Sequence, residues 1–215
     1  MAANYIVAQG DYLSRIAKNF GFSDYRTIWN HPNNASLKAK RNPNVLYPGD
    51  SLYIPDRQPG EVTRPTDQTH KFQTKGVPLK LHLVLEDLYE RPIANAKCTL
   101  LLGGDTRQVT SDGNGNINEP ISPGVHEVTL IIQNGDTPYL GDQICIRVGD
   151  LDPVEEATGQ AARLNNLGYA AGDISDADPS AFQSAVEEFQ CDRGLTVDGI
   201  CGPKTQAELK TAHGC

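Results

Sequence analysis

The stretch that decides the fold is YIVAQGDYLSRIAKNFG, residues 5–21. It opens with the strand-favouring run Tyr5-Ile6-Val7, turns at Gly10-Asp11 and continues with apolar residues at helical spacing. Those apolar residues recur at i, i+3, i+4 and i+7, on one face of a helix, and they are Leu13, Ile16, Ala17 and Phe20. Gly21 follows, and glycine commonly ends a helix. The stretch therefore predicts a short strand, a turn and an amphipathic helix.

A second helix and a closing strand are predicted further along. Ser23 and Asp24 are good N-cap residues for a helix that carries Ile28 and Trp29. After a polar stretch, Pro48-Gly49-Asp50 makes a turn that leads into the strand Leu52-Tyr53-Ile54. The order is strand, helix, helix, strand.

This pattern resembles a LysM domain over residues 4–55. The matching positions are Tyr5-x-Val7-x-x-Gly10-Asp11-x-Leu13-x-x-Ile16-Ala17, Trp29-Asn30, Asn42-Pro43 and Pro48-Gly49-Asp50-x-Leu52-x-Ile54-Pro55. The sequence departs from the family at Tyr12, where Thr or Ser is usual, and in the longer segment 31–41. The resemblance implies a βααβ module that binds an N-acetylglucosamine-containing glycan through two loops.

By the same resemblance, the glycan contacts would come from Gly10, Asp11, Tyr12, Leu13, Asn42, Pro43, Asn44, Val45 and Leu46. Such a shallow site combines backbone donors and acceptors with some apolar surface. Gly10, Asp11 and Leu13 serve equally well as turn, helix cap and core. Tyr12 and Leu46 are favoured as ligand contacts.

Helical patterns return near the C-terminal end. Residues 157–167 have apolar spacing, Asp178-Pro179 opens a second helix, and Pro203 starts a third. The buried stripe of the second helix is predicted to be Phe182, Ala185, Val186 and Phe189. The region therefore predicts a three-helix module.

This region resembles the peptidoglycan-binding-domain-1 family over about residues 156–210. The matching positions are Leu164-Asn165-x-Leu167-Gly168-Tyr169, Ala185-Val186-x-x-Phe189-Gln190 and Gly194-Leu195-x-Val197-Asp198-Gly199-x-x-Gly202-Pro203-x-Thr205-x-x-x-Leu209. The resemblance implies weak wall contacts at Asp198, Gly199, Gly202 and Thr205. A structural role, in which Asp198 and Thr205 tie the loop to the last helix, is the alternative and is favoured for Asp198.

The middle of the chain predicts β structure only. Strand patterns occur at 79–85, 96–102, 108–111, 124–132 and 143–148, with a tight turn at 112–116. The order Leu85-x-Asp87…Arg91-Pro92-Ile93-x-x-Ala96…Ser111-Asp112-Gly113-x-Gly115…Ile121-x-Pro123-Gly124 resembles a transthyretin-like or carboxypeptidase-regulatory-like sandwich. Asp112, Asn114 and Asn116 have calcium-loop spacing, but Pro123 stands where an EF-hand needs Glu, so no metal is expected.

Composition then separates the modules. Residues 57–70 are rich in polar residues and lack periodicity, which is typical of a linker. We predict a multidomain α+β chain with a LysM domain at 1–56, a linker at 57–70, a transthyretin-like β-sandwich at 71–149 and a three-helix peptidoglycan-binding domain at 150–215.

The five cysteines fall into two groups. Cys98 and Cys145 lie in apolar strand patterns and are predicted to be buried. Cys191, Cys201 and Cys215 are close together, so a disulfide between two of them is one prediction, and reduced thiols are an equal alternative. No zinc-type spacing occurs, and we expect neither metal nor cofactor.

Charge and hydropathy exclude two partner classes. The net charge is −8 with no dense basic run, which disfavours nucleic acid, and no apolar run is long enough to insert in a membrane. The N-terminal residues do not have the pattern of a signal peptide. We therefore expect synthesis in the cytoplasm and action in the periplasm or cell wall after export without a cleavable signal; a processed or recloned chain would look the same.

Catalytic patterns are missing from the sequence. The five histidines are scattered, and no HExxH, GxSxG or P-loop motif occurs. We predict a non-enzymatic protein that binds peptidoglycan or a chitin-like glycan. The combination of modules resembles accessory proteins of type VI secretion, so spike or baseplate proteins are expected partners. The alternatives are a baseplate or spike piece without wall binding, and a secreted toxin with an irregular active site.

Overall fold

The computed structural model describes residues 2–58, 63–71, 79–87, 89, 91–134, 140–173 and 179–215. Contacts divide the chain into two units. The first comprises Met1–Pro43 and Pro48–Gly149, and the second comprises Asn44–Tyr47 and Asp150–Cys215.

The first unit begins with the predicted strand, helix, helix, strand order. Its elements are β1 (Ala3–Ile6), α1 (Leu13–Asn19), α2 (Arg26–Trp29), a 3₁₀ turn (Pro32–Asn34), α3 (Ala35–Lys38) and β2 (Ser51–Ile54). β1 and β2 pair antiparallel, with Ala3 opposite Ile54 at one end and Ile6 opposite Ser51 at the other. The 3₁₀ turn and α3 occupy the stretch that the sequence marked only as polar.

Local chemistry explains these elements. Leu13, Ile16 and Ala17 are buried, as the helical spacing predicted. Gly21 has a φ of +77°, the left-handed conformation that lets the chain leave α1 without strain. Asn34 is buried, and its side-chain nitrogen donates to the Tyr53 carbonyl at 2.8 Å while its oxygen accepts from the Tyr53 amide at 2.8 Å. The 3₁₀ turn is thereby fixed to β2.

Six strands follow among the described residues of the same unit. They are β3 (Leu79–Val84), β4 (Lys97–Leu102), β5 (Asp105–Thr110), β6 (Asn116–Ile121), β7 (Glu127–Ile132) and β8 (Gln143–Arg147). β3 pairs with β6, and the other four form a sheet in the order β5-β4-β7-β8, with every pairing antiparallel. Buried side chains from both sheets form one core, including Leu81, Cys98, Leu100, Ile117, Val128 and Leu130.

Three features differ from the sequence prediction or refine it. β6 was not predicted as a strand, and its Pro120 lies opposite Lys80 in the pairing with β3. The prediction that Cys145 is buried was wrong, because it lies on the exposed face of β8, a strand whose side chains alternate between exposed and half-buried. The predicted tight turn at 112–116 is closed by Asp112, whose Oδ1 accepts from the amides of Asn114 at 2.8 Å and Asn116 at 2.9 Å.

The described residues of the second unit form three helices, as predicted. They are α4 (Ala157–Asn166), α5 (Pro179–Asp192) and α6 (Pro203–His213), while the proposed opening residue Asp178 lies outside the described residues. Its core includes Leu164, Tyr169, Val186, Phe189 and Leu209. Arg163 is also buried, and its guanidinium donates to the carbonyls of Asp152 at 2.8 Å, Gly159 at 2.7 Å and Cys215 at 2.9 Å.

None of the helices in the described part of the chain combines the length and the apolar character needed to cross a membrane.

Candidate glycan-binding loops

The first predicted glycan loop joins β1 to α1 and is closed by Asp11. One carboxylate oxygen, Oδ2, accepts from the Tyr5 hydroxyl at 2.6 Å and from the Ala8 amide at 2.9 Å. The other oxygen lies 3.7 Å from Nη1 of Arg15. The hydrogen bond to Asp11 is the main cause that raises the pKa of Tyr5, with burial as a second cause. Asp11 is only 8% exposed, so its carboxylate serves the loop itself.

The structure places Tyr12 against the β part of the same unit. Its hydroxyl accepts from the Gly124 amide at 2.7 Å and donates to the Val125 carbonyl at 3.1 Å, and the side chain is buried. Leu13 lies in the core and Gly10 is half-buried with a φ of +78°. Gly10, Asp11, Tyr12 and Leu13 lie together where β1 leads into α1. Their contact with glycan stays a prediction.

Helix α1 adds two polar contacts to the same β segment, one from its first turn and one from its last. Nζ of Lys18 donates to the Pro123 carbonyl at 2.8 Å, and Nη1 of Arg15 lies 3.4 Å from Nδ1 of His126. The aromatic ring of Tyr12 also occupies the space beside Gly149, where an added Cβ would lie 2.6 Å from Cδ1. In the loop that was predicted to face glycan, the side chains of Asp11 and Tyr12 are thus held by contacts with other residues of the first unit.

The second predicted loop, residues 42–46, is divided between the two units. Asn42 and Pro43 belong to the first unit, and Asn44, Val45 and Leu46 to the second. Asn42 and Asn44 are exposed, whereas Val45 and Leu46 are each 5% exposed. An ion pair between Nε of Arg41 and Oδ2 of Asp50, 3.0 Å apart, joins the residues before and after this segment.

A buried amide organises the predicted wall-binding loop of the second unit. Oε1 of Gln190 accepts from the amides of Asp198 and Gly199, both at 3.0 Å. Its Nε2 donates to Oδ1 of Asp198 at 2.8 Å, to the Ile200 carbonyl at 3.1 Å and to Oγ1 of Thr205 at 3.0 Å. The predicted residues Asp198, Gly199 and Thr205 are therefore brought together by Gln190, a residue that the sequence offered only as part of the family pattern.

The electrostatics of this loop favour an ionised Asp198. The hydrogen bond from Gln190 lowers the pKa of the Asp198 carboxyl, and the Ile200 amide, 2.9 Å away, lowers it further. Gly202, the remaining predicted residue, is the N-cap of α6, where its carbonyl accepts from the Gln206 amide at 2.9 Å. Both residues have structural roles here; wall contact by them stays a prediction.

The three C-terminal cysteines are free thiols in this structure. Burial raises the pKa of Cys201 to about 11, and burial also raises the pKa of Cys215. Sγ of Cys215 lies 3.1 Å from Nδ1 of His213, whose Nε2 lies 3.0 Å from Nδ2 of Asn166. Burial lowers the pKa of His213, so burial favours the neutral form of both groups. The predicted disulfide stays a prediction.

Metal-binding clusters were also sought. Among the described residues, no group of three or more His, Cys, Asp or Glu side chains is arranged to hold a metal ion.

Comparison with known proteins identifies two domains in the chain. Residues 5–55 match the family described as "LysM domain", and residues 161–209 match the family described as "Putative peptidoglycan binding domain". No curated protein and no solved structure matches the chain. The two resemblances drawn from the sequence are thus confirmed, while the transthyretin-like resemblance of the middle region stays a prediction.

The class of protein follows from these two matches. The chain carries two domains whose families bind peptidoglycan or related glycans, and neither domain is a catalytic type. This is consistent with the prediction that the protein is not an enzyme.

Proposed function

We propose that this chain is a non-enzymatic protein that binds bacterial peptidoglycan, with N-acetylglucosamine-containing glycan as the recognised polymer. The observation that carries the proposal is the presence of two different wall-type domains, at 5–55 and 161–209, in one chain. Two weak sites on one chain bind a polymeric wall more tightly than either alone, because the second contact forms at high effective concentration.

Sedimentation with purified sacculi tests the proposal. The full chain is mixed with sacculi at 150 mM salt and centrifuged, and cellulose serves as the control polysaccharide. We expect saturable loss from the supernatant with sacculi and none with cellulose. A chain that stays in the supernatant with both polymers would show that the wall is not its ligand, and would favour the alternative of a protein–protein assembly piece.

A finer proposal concerns where the protein acts and which proteins it contacts. The domain combination supports an accessory protein of a type VI or related contractile secretion apparatus, which acts in the periplasm or wall and contacts spike or baseplate proteins. Export is measured by immunoblot of culture supernatant and periplasm in a host with and without a functional contractile sheath. Equal amounts outside the cytoplasm in both hosts would contradict this assignment without affecting wall binding.

A further inference from the structure

A cleft of about 310 Å³ opens on the LysM domain, and none of the residues that line it belongs to either predicted glycan loop. It is lined by Phe20, Phe22, Ile54, Pro55, Asp56 and Arg57. These residues lie at the C-terminal ends of α1 and β2, beside the Ala3–Ile54 pair of the small sheet. The loop at 10–13 lies at the other end of α1, about 10 Å away for a helix of this length.

The cleft combines apolar and charged side chains. Ile54 is buried beneath it, and Phe20 is 37% exposed. The Phe20 ring is held by an edge-on contact with Tyr5, with ring centroids 5.5 Å apart. The backbone of Phe22 is held by its amide, which donates to the Ala17 carbonyl at 2.8 Å. Two aromatic side chains therefore line the cleft, and the Phe20 ring is held by a contact with Tyr5.

The rim of the cleft is polar and depends on Gly21. An added Cβ at Gly21 would lie 2.8 Å from Nη1 of Arg57, so the guanidinium lies directly beside Gly21. Arg57 supplies up to five N–H donors, and the neighbouring Asp56 supplies carboxylate acceptors. Both side chains are exposed.

We propose that this cleft is a second glycan subsite of the LysM domain, which takes one N-acetylhexosamine unit of a polymer strand. A pyranose ring has an apolar C–H face, which would pack on Phe20, Phe22 and Pro55, and a hydroxyl edge, which would face Asp56 and Arg57. The aromatic walls with a few polar groups, and a volume at the small end of ligand sites, suit one sugar unit. The inference rests on the proposed function, since it names a further contact with the same polymer.

Titration of the full chain with chitotetraose tests the subsite. Backbone amide shifts are followed by NMR, and the affinity is measured by calorimetry for wild type, Phe22→Ser and Arg57→Gln. We expect shifts at residues 20–22 and 54–57, and an affinity about tenfold weaker in each variant, as for the loss of one good contact.

Two control variants make the same kinds of substitution outside the cleft. Tyr89→Ser removes an exposed aromatic ring, and Arg26→Gln removes an exposed arginine of the same domain, and neither should change the affinity more than twofold. Arg57→Gln changes an exposed side chain, so it stays informative if Phe22→Ser unfolds the domain.

The outcomes separate the two proposals. Chitotetraose binding with shifts confined to residues 10–13 and 42–46, and with Arg57→Gln equal to wild type, would overturn the subsite and leave wall binding intact. Sedimentation with sacculi without any chitotetraose binding would also overturn it. Failure to bind either sacculi or chitotetraose would overturn both proposals.

Discussion

At the scale of single residues, Gln190 fixes the loop between α5 and α6. Its side-chain amide forms hydrogen bonds with backbone and side-chain atoms of the segment that follows α5, and Gln190 is 1% exposed. Each buried donor or acceptor that loses such a partner costs about 1–3 kcal/mol.

Replacement Gln190→Leu should therefore destabilise the second unit by about 2–4 kcal/mol, because it keeps the volume and leaves several polar groups without partners. Urea unfolding, followed by the fluorescence or NMR signals of this unit, measures the change. Gln183→Leu on the same helix is the control, since that side chain is exposed and its partner Glu187 is also solvent-accessible. Equal midpoints for the two variants would contradict the role assigned to Gln190.

His213 gives a prediction about pH. Its folded-state pKa is lowered, first by burial and then by the positive charge of Arg163. A group with a lowered pKa stabilises the fold above its unfolded pKa, and that contribution is lost as the pH falls through the folded pKa. The loss should therefore begin below about pH 6.5, the unfolded value for histidine.

An NMR titration of the five histidine rings checks this directly. The His213 signal should have a midpoint below 6.5, and the His213→Gln variant should lose part of the decrease in stability between about pH 6.5 and 5. A midpoint at or above 6.5 would show that the ring is solvated or has an anionic partner.

The sequence predicted some residues better than others. Leu13, Ile16 and Phe189 follow helical spacing, and their burial could be predicted because spacing determines which face meets the core. Tyr12 could not be placed in the same way. Its two partners lie more than a hundred positions away at Gly124 and Val125, and no local pattern encodes a contact of that range.

At the scale of elements, helices and strands were not equally predictable. α1, α5 and α6 were found because each has an apolar stripe and a Pro or Gly at one end. β6 was missed because Pro120 interrupts its pattern, although proline is tolerated where its missing N–H is not needed. The 3₁₀ turn at Pro32–Asn34 was missed because its one buried residue, Asn34, is polar.

The contact between the β1–α1 loop and the β part can be tested through Gly149. It has a φ of +90°, and an added Cβ would overlap Tyr12. Gly149→Ala should cost about 1–2 kcal/mol for the left-handed backbone and about 1–3 kcal/mol more for the overlap.

Gly141→Ala is the control that separates the cost of the left-handed backbone from the cost of the overlap with Tyr12. Gly141 has a φ of +83°, but nothing lies within 4 Å of an added Cβ. Urea unfolding of the two variants should therefore differ by the overlap alone. If both lose the same stability, Tyr12 does not pack against Gly149 in solution.

At the scale of the whole molecule, charge and wall binding are expected to be independent. The chain has a net charge of −8, yet residues 1–58 carry seven Lys or Arg against four Asp or Glu. Salt bridges within that segment, such as Arg26 with Asp24 and Arg41 with Asp50, already use part of the positive charge. Binding of an uncharged glycan should then depend on hydrogen bonds and packing.

Sacculus affinity should accordingly change less than about threefold between 50 and 500 mM salt, because screening weakens only interactions between charges. The sedimentation assay repeated at several salt concentrations measures this. A decrease of more than about tenfold would indicate that the basic N-terminal segment binds an anionic wall component.

The pairing of Ala3 with Ile54 has a mechanical consequence. Because both ends of the LysM domain leave from the same end of its two-stranded sheet, tension across the domain pulls the strands apart pair by pair, starting at Ala3–Ile54. The force then acts on one residue pair at a time, whereas in a sheet loaded parallel to its strands all the pairs would share the force. Ile54 belongs to that first pair and lines the cleft, so a load applied to the two ends of the domain would separate the strands beside the cleft before it disturbed the loop at residues 10–13.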